Sequence, residues 1–183
     1  MRFIKLSTLI ILIGIGSCNK EKRNKLPGEY YGNAIATKNN AEWASGFVRC
    51  KIDINCNNGK LGIEFLKFNE RGFLRETFFL LNILQKVGSY KIYPSINYNS
   101  DRCVDSLIRG LYATSVDDGD VAGDDYNVLP ADNNNITITD YNTSTKEIKG
   151  TFEVSFIITR KFNPLAPDTL RFKNGVFYTK ILN

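Results

Sequence analysis

The stretch TFEVSFII, residues 151 to 158, sets Phe152, Val154, Phe156 and Ile158 against Thr151, Glu153 and Ser155. An apolar side chain at every second position is the period of a strand with one buried and one wet face, whereas the apolar stripe of a helix recurs every three or four residues. NITITDY at 135 to 141 repeats the pattern with Ile136 and Ile138. Further runs bounded by turn residues fall at 31–38, 74–82, 88–94, 108–115, 147–159 and 169–181. About eight to nine short strands with little helix predict an all-β domain, either an antiparallel β-sandwich or a partly closed barrel.

Turn chemistry supplies a register. In CKIDINCNNGKLGIEF, which begins at Cys50, Asn58-Gly59 is a strong hairpin signal because both central positions of a type I′ turn need positive φ. Folding the chain there pairs Cys56 with Leu61, Ile54 with Ile63 and Ile52 with Phe65, all on one face. Lys51, Asp53, Asn55, Lys60 and Glu64 then share the other. The stretch GFLRETFFLLNILQKVG is ambiguous, since Phe73, Thr77, Phe78, Leu81 and Leu84 also fit a helical stripe. The run Phe78-Phe79-Leu80-Leu81 favours a strand over 75–83, buried on both faces.

The N-terminus is written differently. Arg2 and Lys5 precede an apolar run at 6–13, too short to span a bilayer, which takes about 20 residues. The run ends Ile15-Gly16-Ser17-Cys18, which resembles the lipobox of bacterial lipoproteins. The resemblance implies a signal peptide at 1–17, a diacylglycerol on the Cys18 sulfur, and an acylated new amino group. Two or three acyl chains make attachment effectively permanent. Residues 18–29 then form the lipidated cysteine and a polar tether, and 30–183 a single antiparallel β domain. Loss of Arg2 and Lys5 lowers 24 basic residues to 22 against 19 acidic, so the net charge drops from +5 to +3. Lys20, Lys22, Arg23 and Lys25 cluster beside the anchor as a solvated tether or a headgroup contact. No basic stripe recurs in the body of the chain, which argues against a nucleic-acid partner. The expected address is the cell envelope, anchored to the outer membrane, with the side left open.

A second resemblance rests on Ala-Glu-Trp at 41–43, Gly-Ser-Tyr at 88–90, ITITDYNTSTKEIKGTFEVSF at 136–156 and FKNGVF at 172–177. Their order is similar to that in small uncharacterised lipoproteins of Bacteroidetes-type envelopes. These motifs are structural: Asn142 to Lys146 for a turn, Gly150 for a bend or bulge, Asn174-Gly175 as an interruption of the last strand. The resemblance implies a β fold and an envelope address, with no activity attached.

Histidine is absent, which removes the commonest general base, the usual Ser and Cys triads and the usual zinc ligands. Glycoside cleavage needs only two carboxylates, yet Glu64, Glu70, Glu76 and Glu153 all read as solvent-face residues. No enzyme and no cofactor is expected. The acidic run DDGDVAGDD at 117–125 offers Asp118, Asp120, Asp124 and Asp125 as oxygen ligands for calcium, with spacing unlike an EF-hand. A solvated turn between strands accounts for it better. Asp105-Ser106-Leu107 and Asp168-Thr169-Leu170 resemble the triplets at which such bacteria attach O-linked glycans, making Ser106 and Thr169 candidate acceptors. Tyr30, Tyr31, Trp43, Tyr93, Tyr98 and Tyr126 are available to grip a glycan or protein ligand, with Trp43 expected in the core. A binding module is the first reading, a structural or assembly component of an envelope complex the second, and a histidine-free hydrolase a distant third.

Cys50, Cys56 and Cys103 remain in the mature chain. An exported protein meets an oxidising compartment, which favours one bridge. Cys50 and Cys56 on one strand stand about 20 Å apart, while a disulfide needs Cα atoms within about 7 Å. A simple meander of strands at 47–57, 60–68, 74–82 and 88–94 brings Cys103 beside Cys50, so the expected bridge is Cys50 with Cys103 and Cys56 is a buried thiol.

Overall fold

A computed structural model of the chain describes residues 31–52, 59–96 and 107–182. The signal, the tether, Cys18, Cys56, Cys103 and Ser106 lie outside the described residues. Among the described residues eleven strands and no helix follow one another: β1 Gly32–Lys38, β2 Ala41–Ala44, β3 Phe47–Ile52, β4 Leu61–Phe68, β5 Leu74–Ile83, β6 Gly88–Pro94, β7 Ile108–Val116, β8 Val121–Val128, β9 Asn135–Tyr141, β10 Glu147–Arg160 and β11 Thr169–Leu182. The all-β expectation holds, with a higher strand count. The ambiguous stretch is a strand, β5, and from Thr77 to Ile83 every residue but Phe79 is buried.

Eight strands close into a barrel in the order β11, β3, β4, β5, β7, β6, β9, β10, and β10 returns to β11. The two longest strands make closure work. β10 pairs with β9 over Ile148 to Glu153 and with β8 from Phe156 to Arg160, so one strand serves two partners along one edge. β11 likewise pairs with β1 and, at Ile181 and Leu182, with β3. The β1–β2 hairpin extends the sheet beyond the ring.

Three expectations are corrected. The meander ends at β5, whose next neighbour is β7 rather than β6. Two pairings are parallel, β11 with β3 and β6 with β7. The β3–β4 register is Val48 to Phe65, Cys50 to Ile63 and Ile52 to Leu61. Compared with a two-residue turn at Asn58-Gly59 the strands slide by an even number of residues, and an even slide leaves every side chain on its expected face.

The interior is aromatic. Phe65 lies 4.9 Å from Phe78, 5.1 Å from Phe152 and 5.6 Å from Phe177, ring centre to ring centre. Trp43 reaches in from β2 and meets Phe172 edge-on at 5.1 Å, the core placement its sequence context predicts. Each large side chain withdrawn from water contributes about 1.5 to 3 kcal/mol. Asn174, at φ 52°, shifts the phase of β11, so that Phe172 and Phe177 both face inward across an odd separation. The β9–β10 turn forms as expected: Asn142 Oδ1 accepts the amides of Ser144 and Thr145 at 2.9 and 3.0 Å.

Strand direction sorts the connections to two ends. The β3–β4, β5–β6 and β9–β10 connections gather where the described chain begins and where β11 finishes, here termed the proximal end. The β1–β2, β4–β5, β7–β8 and β10–β11 connections gather at the distal end.

Candidate functional site

Residues 161–168, KFNPLAPD, join β10 to β11 at the distal end, and their backbone is held from several sides. The amides of Phe162 and Asn163 both donate to Asp124 Oδ1 of β8, at 2.7 and 2.9 Å. Within the loop, Leu165 N donates to Asn163 Oδ1 at 3.0 Å and Ala166 N to Asn163 O at 2.9 Å. Tyr126 of β8 donates its hydroxyl to Pro167 O at 3.0 Å. Pro164 and Pro167 further restrict φ. On this fixed backbone Phe162 is 58% exposed and Leu165 91% exposed. Two large apolar side chains standing in water on a tied loop have a small ordering cost left to meet on binding, which is the condition under which such side chains act as anchors for a partner.

Beneath the distal end lies a charge cluster around Glu76, whose side chain is 14% exposed. Trp43 Nε1 donates to Glu76 Oε2 at 2.7 Å and Lys38 Nζ to the same oxygen at 2.8 Å, while Lys67 Nζ reaches Oε1 at 3.3 Å. Burial pushes the Glu76 carboxyl up, but Lys38 and the hydrogen bonds from Lys38, Tyr112 and Trp43 outweigh it and hold the group below its ordinary value. The Tyr112 hydroxyl is pushed up by burial and by Glu76. Five strands meet here, so the cluster fastens the β1–β2 hairpin to the barrel.

Of the carboxylates expected on the solvent face, Glu70 and Glu153 are exposed, but Glu64 is half-buried with Arg49 and Glu76 points inward. The signal for Glu76 was its parity, shared with Phe78 and Leu80 on β5. The acidic run is divided between a turn and a strand: 117–120 turns, and β8 takes Asp124 and Asp125. In the exposed turn the carboxyls of Asp118 and Asp120 titrate in turn, the first held below its ordinary value and the second above it, because protonating Asp120 lets it donate to Asp118. Asp124 is buried under the distal loop, and Asp125 pairs with Arg160 at 2.8 Å. Among the described residues no group of three or more carboxylates or thiols gathers as for a metal ion.

Thr169 opens β11 half-buried, paired with Ile157. Cys50 is a fully buried thiol on β3, pushed up to about 12 by that burial, while Cys103 lies outside the described residues. Tyr126 is buried, Tyr93 is half-buried, and Tyr30 and Tyr98 lie outside the described residues. Tyr31 is exposed on the outer face, its hydroxyl 2.8 Å from that of Tyr178, which donates in turn to Glu147 at 2.8 Å. Nearby Ile35, 61% exposed, stands opposite exposed Val176 between two shallow depressions of about 520 and 400 Å³.

Comparison with protein-family models, with curated proteins and with solved structures returns no match.

Proposed function

We propose that the protein is a lipid-anchored binding module of the cell envelope, held at the outer membrane by Cys18, which takes a protein ligand at its distal loop. The observation that carries this reading is the display of Phe162 and Leu165 on a loop tied by Asp124 and Tyr126. Leu165 offers hydrocarbon without a polar handle, which suits a pocket on a protein better than a sugar ring. The aromatic and polar groups at Tyr31, Tyr178 and Lys149 support a second reading, a glycan on the outer face beside Val176.

A glycan and protein binding screen on the chain from residue 19 tests both. The first reading expects a protein ligand whose affinity drops at least about tenfold in Phe162→Ala with Leu165→Ala, at unchanged melting temperature. A ligand indifferent to both substitutions removes it. A glycan lost in Tyr178→Ala establishes the second, and co-purifying membrane proteins without a separable ligand favour a structural role. Anchoring is tested separately: Cys18→Ala should abolish lipid labelling and release the protein from the membrane, and continued membrane attachment of that variant refutes it.

A further inference from the structure

We infer that the proximal end of the barrel is a contact surface for anionic lipid headgroups. The orientation rests on the anchoring at Cys18; the chemistry rests on the charge of the barrel itself. Lys86 on the β5–β6 turn, Lys146 on the β9–β10 turn and Lys180 near the end of β11 project at this end, and Lys51 and Lys60 flank the β3–β4 connection. Among the described residues, against them stand Glu147, which already accepts from Tyr178 and Thr145, and Asp140, which pairs with Lys149 at 3.3 Å. Exposed Ile52, Leu84 and Val87 lie among the lysines, and Lys180 Nζ stands 5.9 Å from the ring centre of Tyr31.

At the opposite end the connections are acidic and the basic residues, Lys38, Arg75, Arg160 and Arg171, stand on the adjoining strand ends. Glu70, Asp117, Asp118, Asp120 and Asp168 belong to the distal connections, against Arg71 and Lys161. A negatively charged bilayer therefore attracts the proximal end, and basic residues beside such a surface each strengthen attachment about fivefold. The path of the chain agrees. Twelve residues separate Cys18 from Tyr31, thirteen Cα steps that reach about 45 Å at most, and Tyr31 enters at the proximal end. Lys20, Lys22, Arg23 and Lys25 add charge of the same sign along the way. Docked in this way, the barrel directs Phe162 and Leu165 away from the bilayer.

Residues 31–182 contain all the described strands and the described core, so a chain begun at residue 19 suits the test and does not depend on lipidation. Its sedimentation with vesicles of phosphatidylcholine containing phosphatidylglycerol is compared with pure phosphatidylcholine vesicles. Binding is expected only to the anionic vesicles, weakening with salt. Lys86→Glu, Lys146→Glu and Lys180→Glu together should lower it at least about tenfold, while Arg71→Glu with Lys161→Glu leaves it unchanged. Acetylation of the unaltered chain adds a readout that needs no variant: Lys86, Lys146 and Lys180 should be protected on anionic vesicles and Lys161 should not. Equal binding to neutral vesicles, equal loss on distal charge reversal, binding explained wholly by the four tether residues, or unprotected proximal lysines would each overturn the proposal. A negative outcome here leaves the Cys18 anchor standing, because that is read from lipid labelling alone.

Discussion

Trp43 Nε1 and Glu76 Oε2 stand 2.7 Å apart across the gap between the β1–β2 hairpin and the barrel. The bond joins the indole, buried against Phe172, to a carboxylate that also holds Lys38 and Lys67. Removing the carboxylate leaves the indole N–H without its acceptor and Lys38 without its counter-charge. Because Lys38 keeps some contact with water, Glu76→Ala is expected to cost about 2 to 3 kcal/mol rather than the full penalty of a deeply buried pair. Glu76→Gln retains an acceptor for Trp43 and should cost less. Urea unfolding of the two variants checks the order.

Glu76 also predicts an acid response. Its folded carboxyl titrates below the ordinary value of 4.5. The unfolded state therefore binds the proton first, so the contribution of Glu76 is present above about pH 4.5 and is lost as pH falls through the lower folded value. Melting temperature followed from pH 6 down to about pH 3 should fall less steeply in Glu76→Gln than in the wild type. Parallel curves would show that the cluster does not set acid stability.

Asp124 should prove to be a backbone fastener. Its Oδ1 accepts two amides of the distal loop, so Asp124→Ala should cost about 1 to 3 kcal/mol and release the amides of 162 and 163 to hydrogen exchange. Asn keeps an oxygen in the same place, and Asp124→Asn should preserve most of the protection. Exchange measured by mass spectrometry on the peptide covering 161–168 separates the two.

Gly175 is required by close approach. A Cβ there would stand 2.6 Å from the carbonyl oxygen of Phe152 and 2.7 Å from its ring. The clash lies where β10 and β11 pair, Gly175 opposite Phe152, inside the aromatic core. Gly175→Ala should therefore destabilise by about 1 to 3 kcal/mol, the range for overpacking, where alanine in an open strand would be mildly favourable. A neutral result by thermal melting would mean that β10 and β11 can part at this point.

Cys50 should resist alkylation in the folded state. Burial pushes its thiol up to about 12 from 9.0, so almost no thiolate forms near neutral pH. The folded state keeps the proton that the unfolded thiol gives up. The contribution of Cys50 is therefore full below about 9.0 and is lost as pH rises toward 12. Iodoacetamide in denaturant without reductant should label Cys50 if it is a thiol. No labelling until reductant is added would instead establish the bridge with Cys103.

Local sequence determined that this chain builds strands, and which face of each looks inward. Alternation at 151–158, the apolar run of β5 and the Asn142 turn are short-range properties, dictated by side-chain period and turn chemistry whatever the neighbours are. Parity survived even where pairing did not: the β3–β4 slide left Cys50, Ile63 and Phe65 on the face that the alternation assigns. Tertiary structure decided what the strands do with one another. Val121–Val128 is a strand because β7 and β10 offer it two open edges; its own acids read as a turn, and pairing outweighs propensity in such a sequence. Closure depends on β10 and β11 each serving more than one partner, a relationship between residues far apart in sequence that no window of either strand contains. The distal loop follows the same rule. Phe162 and Leu165 stand exposed because Asp124 and Tyr126, nearly forty residues earlier, hold the backbone beneath them, and a hydrogen bond between distant segments exists only once the barrel has brought them together.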